Sequence, residues 1–102
     1  MKCVIEHRTK WFAPRHEVRV GILFSALETA IIETHKLYDH RVLTDLGQEI
    51  HIRDIYKRTY TRRFDTPALA KTFDERFRAA LPTLKGYLEF SAYKPPPSVH
   101  HI

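Results

Sequence analysis

Apolar and polar positions change period several times along the chain, and the changes divide it into elements. Cys3, Ile5 and His7 alternate with Val4, Glu6 and Arg8, so residues 2–12 predict a strand, which Pro14 stops. From His16 to Tyr38 the spacing is helical. Val20, Leu23, Phe24, Leu27, Ala30, Ile31, Thr34, Leu37 and Tyr38 share one arc, with Thr29, Glu33 and Lys36 opposite. The expectation is a long amphipathic helix. Gly21 is its weak position, at about 1 kcal/mol relative to Ala, and a strand over 18–24 is the minor alternative.

Asp45-Leu46-Gly47 fits a type I turn followed by a left-handed glycine, and Ile50 and Ile52 then alternate with Glu49, His51 and Arg53. A hairpin over 41–52 follows. Thr66-Pro67 is a hydroxyl N-cap with proline at the first helical position, and Leu69, Phe73, Phe77 and Ala80 share one face after it. Pro82 ends or kinks this helix. Beyond it Leu84, Gly86, Leu88, Phe90 and Ala92 alternate with Lys85, Tyr87, Glu89, Ser91 and Tyr93, which predicts a last strand. The leucines at 81, 84 and 88 also fit a continuing helix.

The order strand, helix, strand, strand, helix, strand predicts an α+β fold: one four-stranded antiparallel sheet with both helices on one face, the ferredoxin-like βαββαβ order. A mostly α-helical small domain is the alternative. Residues 1–94 read as a single domain and 95–102 as a proline-rich extended tail.

Composition places the chain among globular proteins, since 43% of it is hydrophobic and 28% charged. The one cysteine, Cys3, rules out an internal disulfide framework and reads as a small core residue. No apolar run approaches the roughly 20 residues that span a bilayer, and the N-terminal residues lack the apolar core of a signal peptide. The expected setting is cytoplasmic, with no membrane partner.

Charge narrows the partners. The net charge of +5 favours anionic ones, nucleic acid first. The cations concentrate in residues 53–64, where aromatic rings interleave them. Arg53, Tyr56, Lys57, Arg58, Tyr60, Arg62 and Arg63 are the candidate binding residues: guanidinium and ammonium groups neutralise phosphates and rings stack on bases. Whether this segment is extended or helical is open from the pattern alone.

Other chemistry finds less support. Glu28, His35 and Asp39 lie along one stripe of the expected long helix, yet no HExxH or cysteine pair accompanies them, so no metal site is assigned. Three scattered glycines form no phosphate-cradling loop, and no serine sits in a nucleophile elbow, so neither cofactor nor catalytic residue is assigned. The expected function is non-catalytic nucleic-acid binding. A homodimer is the expected assembly, with Tyr87 and Tyr93 on an open sheet face. One alternative function is a homodimeric protein-interaction module with no nucleic-acid role; another is a metal-independent ribonuclease built from His51, Tyr56, Arg58 and Arg62.

Overall fold

The computed structural model describes residues 1–95, so the tail expected over 95–102, with His100 and His101, lies outside the described residues except for Pro95. Lys2–Thr9 (β1) and His16–Leu23 (β2) form an antiparallel hairpin in unbroken register from Lys2↔Leu23 to Thr9↔His16. Lys10 N donates to Arg15 O at 2.6 Å and carries the pairing one step into the loop, whose tip holds Trp11 and Phe12.

β2 replaces the first half of the expected long helix. Val18, Val20 and Ile22 are buried on one side, and Glu17, Arg19, Gly21 and Leu23 take the other. β-branched residues at every second position suit a pleated strand better than a helix, and Gly21 marked the conflict. Val20, Leu23, Phe24 and Leu27 mimic helical spacing only because the strand's last residues run into a real helix. That helix, Ala26–His35 (α1), starts at Ser25. Ser25 Oγ accepts from Glu28 N at 3.1 Å and Glu28 Oε1 accepts from Ser25 N at 2.8 Å, a capping box written in the sequence as S-x-x-E.

A 3₁₀ turn over Leu37–Asp39 leads into the expected hairpin, Arg41–Asp45 (β3) and Gln48–His51 (β4). Its loop has two residues rather than three. Leu46 and Gly47 both have positive φ, 50° and 79°, the type I′ geometry that matches strand twist. The basic segment is both helical and extended. Ile52–Ile55 (α2) is one helical turn, Lys57 turns the chain at φ 56°, and Tyr60–Phe64 (β5) pairs with β2.

Thr66 caps the last helix as expected, its Oγ1 accepting from Leu69 N at 3.2 Å. This helix, Pro67–Ser91 (α3), does not stop at Pro82, and the strand expected over 84–93 is absent. Ala70, Phe73, Phe77, Leu84, Leu88 and Ser91 are its buried residues, one stripe at helical spacing. Leu84 and Leu88 satisfy both periods; Gly86 and Phe90 decide against the strand because they are exposed. Extending an existing helix needs no new nucleus, whereas a strand needs a partner edge.

The protein is therefore α+β, but neither one four-stranded sheet with two helices nor mostly helical. The described residues form a three-stranded sheet in the order β1-β2-β5, the separate pair β3-β4, and three helices. α3 covers the inner face of the larger sheet and also packs against β3 and α1. Among the described residues no helix is long and apolar enough to cross a membrane.

Candidate nucleic-acid interface

The seven residues singled out by sequence separate in space. Arg53 pairs with Asp39 of the 3₁₀ turn. Tyr56 packs between Phe24 and Tyr38, with ring centroids 6.0 and 5.8 Å away, and its hydroxyl donates to Glu33 Oε2. Lys57 Nζ lies 3.4 Å from the same Glu33 oxygen. The Tyr56 hydroxyl and the Lys57 ammonium together hold the Glu33 carboxyl below its usual range.

Tyr60 and Arg62 point inward from β5. The Tyr60 ring stacks on Phe73, its buried hydroxyl finds no hydrogen-bond partner among the described residues, and burial raises its pKa. Arg62 Nη1 sits 2.6 Å from Asp45 Oδ2, with its guanidinium 5.0 Å over the Phe64 ring. Arg76 of α3 grips Asp45 Oδ1 at 2.5 Å and donates to Thr44 O at 2.8 Å. This network, centred on the buried Asp45, ties the β3-β4 hairpin to β5 and α3.

Arg58 and Arg63 remain outward. They border a surface that sequence reasoning did not find: the outer face of the three-stranded sheet, which no helix among the described residues covers. Residues opposite each other in an antiparallel ladder share a face. The registers therefore place Arg8, Glu17 and Arg63 in one row, Glu6, Arg19 and Thr61 in the next, then Val4 with Gly21, then Lys2 with Leu23. At the Leu23 end lies a groove of about 430 Å³, with Val4, Gly21 and Leu23 in its apolar floor and Lys2, Lys57 and Arg58 at its rim. A Cβ added at Gly21 would meet nothing within 4 Å. The missing side chain leaves the floor open. Among the described residues neither Lys2 nor Arg58 forms an ion pair.

At the opposite end Trp11 is 84% exposed and stands edge-on to Phe12 at 5.4 Å, while the Arg63 guanidinium lies 4.9 Å over the Phe12 ring. Between the two ends sits Glu17, ringed by Arg19 at 3.1 Å, Arg63 at 3.4 Å and Lys10 at 3.8 Å. Desolvation pulls its pKa up, but Lys10, Arg19 and Arg63 outweigh it and hold the carboxyl below the usual range. The cations of this face outnumber its acids, and it combines them with apolar floor and exposed rings. A signal was present in the sequence, the alternation of β2, but it pointed to a surface only once β2 was a strand.

The other constellations are not assembled. Glu28 serves the Ser25 cap, His35 ends α1 and Asp39 binds Arg53. Among the described residues no three His, Cys, Asp or Glu side chains are grouped to hold a metal ion. His51 caps α2 near Glu49 and Asp54, away from the partners taken by Tyr56 and Arg62. Tyr87 lies on α3, stacked on His40 at 3.5 Å, and not on a sheet face. No protein-family model, curated protein or solved structure matches the chain, so a functional reading rests on its own residues.

Proposed function

We propose that the chain is a non-catalytic module that binds single-stranded nucleic acid across the outer face of its three-stranded sheet. The observation that carries this reading is the uncovered face itself, where the cations Lys2 and Arg58 flank an apolar groove at one end and Trp11 stands exposed at the other. Lys2, Arg8, Arg19, Arg58 and Arg63 neutralise backbone phosphates. Trp11 and Phe12 stack on bases, and the groove over Gly21 takes a base or sugar against Val4 and Leu23. β2 from Glu17 to Leu23 is about 20 Å long, room for a few nucleotides. Such interactions hold a strand in place and read little of its sequence. Of the segment expected from sequence, Arg58 and Arg63 act directly, while Arg53, Tyr56, Lys57, Tyr60 and Arg62 shape and support it. A cytoplasmic setting suits this function.

Trp11 is the chain's one tryptophan, so its fluorescence reports on this face alone. Titration with short single-stranded DNA and RNA should quench it, with a dissociation constant in the range of about 10⁻⁴–10⁻⁶ M that weakens steeply as salt rises. Replacing Lys2 and Arg58 with Ala should lower the salt slope by roughly 0.7 for each phosphate that is no longer neutralised. Absence of binding to either nucleic acid at low salt overturns the proposal.

A further inference from the structure

β1 is an edge strand of eight residues, in register with β2 along its whole length and carrying neither proline nor bulge. Edges of that kind are templates for another strand. The direction of its backbone groups follows from the loop. Lys10 N donates toward β2, and the groups alternate along an antiparallel strand. Lys2, Val4, Glu6 and Arg8 therefore bond to β2, whereas Cys3, Ile5, His7 and Thr9 direct their N–H and C=O to the open side.

We infer that β1 pairs antiparallel with β1 of a second copy of this chain, about a two-fold axis at Val4. The register is set by charge and by the loop after β1. A symmetric pairing must bring the outward-directed residues opposite one another, which leaves axes at Val4, Ile5, Glu6 or His7. An axis at Ile5 sets Lys2 against Arg8, and one at Glu6 sets that carboxylate against its own copy. An axis at His7 pairs Glu6 with Arg8, but it sets His7, already bound to Asp74 of α3, against its own copy and runs residues 2–4 of each copy across the other's loop at Trp11 and Phe12. The axis at Val4 places Lys2 opposite Glu6 of the second copy, twice by symmetry. It also sets Cys3 against Ile5 on the inner face and Val4 against Val4 on the outer face.

Val4 is 51% exposed in the single chain, and in this arrangement its flank packs against Val4 of the second copy. A cleft of about 310 Å³ between Met1 and Arg78, Leu81, Pro82 and Lys85 of α3 lies below the start of the same strand, where the second copy's His7 arrives opposite Met1. The product is a six-stranded sheet in the order β5-β2-β1-β1-β2-β5, with the two outer-face grooves side by side. The dimer stands whether or not that face binds nucleic acid.

Sedimentation of the purified chain over a concentration series reads the mass directly. A dimer in reversible exchange is expected. Lys2→Glu and Glu6→Lys each turn two attractions into repulsions and should weaken it about tenfold, while the double variant Lys2→Glu/Glu6→Lys should restore it. Both side chains are exposed, and circular dichroism checks that the fold is intact. In a Cys3→Ser background, Val4→Cys places two thiols across the axis in a non-hydrogen-bonded pair, where Cα atoms lie about 4.5 Å apart, so oxidation should give a disulfide dimer. Glu6→Cys in the same background should not. A monomeric mass at every concentration overturns the inference, as does a dimer that ignores the single reversals or is not rescued by the double variant.

Discussion

Two carboxylates in this small domain are gripped by arginines and almost wholly shielded, Asp45 at 2% exposure and Glu17 at 3%. They do opposite things. Asp45 is held by Arg62 and Arg76 from β5 and α3, so its charge joins three separate elements around the inner face. Glu17 is held by Lys10, Arg19 and Arg63, all on the outer surface around the β1-β2 hairpin and β5. Arg62 and Arg63 are adjacent and chemically identical, yet strand parity sends one into the core and the other to solvent. The side chain of Arg62 is 16% exposed and that of Arg63 37%. Residue type states that a cation is present; the side of the sheet states what it is for.

The comparison breaks hardest at Asp45. Asp45→Ala leaves two guanidiniums with no carboxylate and only the backbone carbonyls of Asp45 and Thr44 as acceptors, and should cost about 3 kcal/mol of unfolding free energy in urea. Arg63→Ala should stay within about 0.5 kcal/mol, because Glu17 keeps Arg19 and Lys10. Comparable losses from the two variants would abolish the distinction between the faces.

Gly21→Val sharpens it from the outer side. A Cβ there meets no atom within 4 Å, the side chain occupies the groove floor, and valine suits a central strand. Stability should hold or rise, while single-stranded nucleic-acid binding should weaken about tenfold, or about 1.4 kcal/mol. Unchanged binding would exclude the groove from the binding surface.

The inner face offers a gain. Tyr60 Oη is buried with no partner among the described residues, so Tyr60→Phe keeps the stack on Phe73 and removes an unsatisfied hydroxyl. Stabilisation of about 1 kcal/mol is expected. A loss of stability would mean that the hydroxyl has a partner after all.

What was legible in the sequence follows from the same parity. The β3-β4 hairpin, the Thr66-Pro67 helix start and the first strand rest on local chemistry of caps, turns and alternation, and local signals are written in order along the chain. The failures came where two periods share residues. Val20, Leu23 and Phe24 satisfy a helical arc as well as a strand that leads into a helix, and the deciding signal, Ser25 to Glu28, is four residues long. Leu84 and Leu88 satisfy both periods again, and only the exposure of Gly86 and Phe90 separates them. The basic-aromatic segment was legible as basic and aromatic. Its division between Asp45, Glu33, Asp39 and the outer face depends on pairings between residues distant in sequence, such as Arg62 with Asp45, which no local pattern encodes.

Glu17 provides the finest test. Its pKa is depressed, so the folded protein holds the carboxylate more firmly than the unfolded chain does. Its contribution to stability is therefore complete above the ordinary glutamate value near 4.5 and is lost as pH falls through the lower folded value. Denaturation curves between pH 6 and about pH 3 should show Glu17→Gln less sensitive to acid than the parent chain. Glu17 also competes with any phosphate for Arg19 and Arg63. Neutralising it releases both cations to the outer face, so Glu17→Gln should bind single-stranded nucleic acid about threefold more tightly at low salt, with the difference fading as salt rises. An inner-face counterpart should not behave this way. Asp45→Asn loses stability and releases no cation to the outer face, because Arg62 stays turned into the core over Phe64 and Phe73. If Glu17→Gln bound no better than the parent chain, Arg19 and Arg63 would not be phosphate-binding groups, and the site would contract to the groove between Lys2 and Arg58.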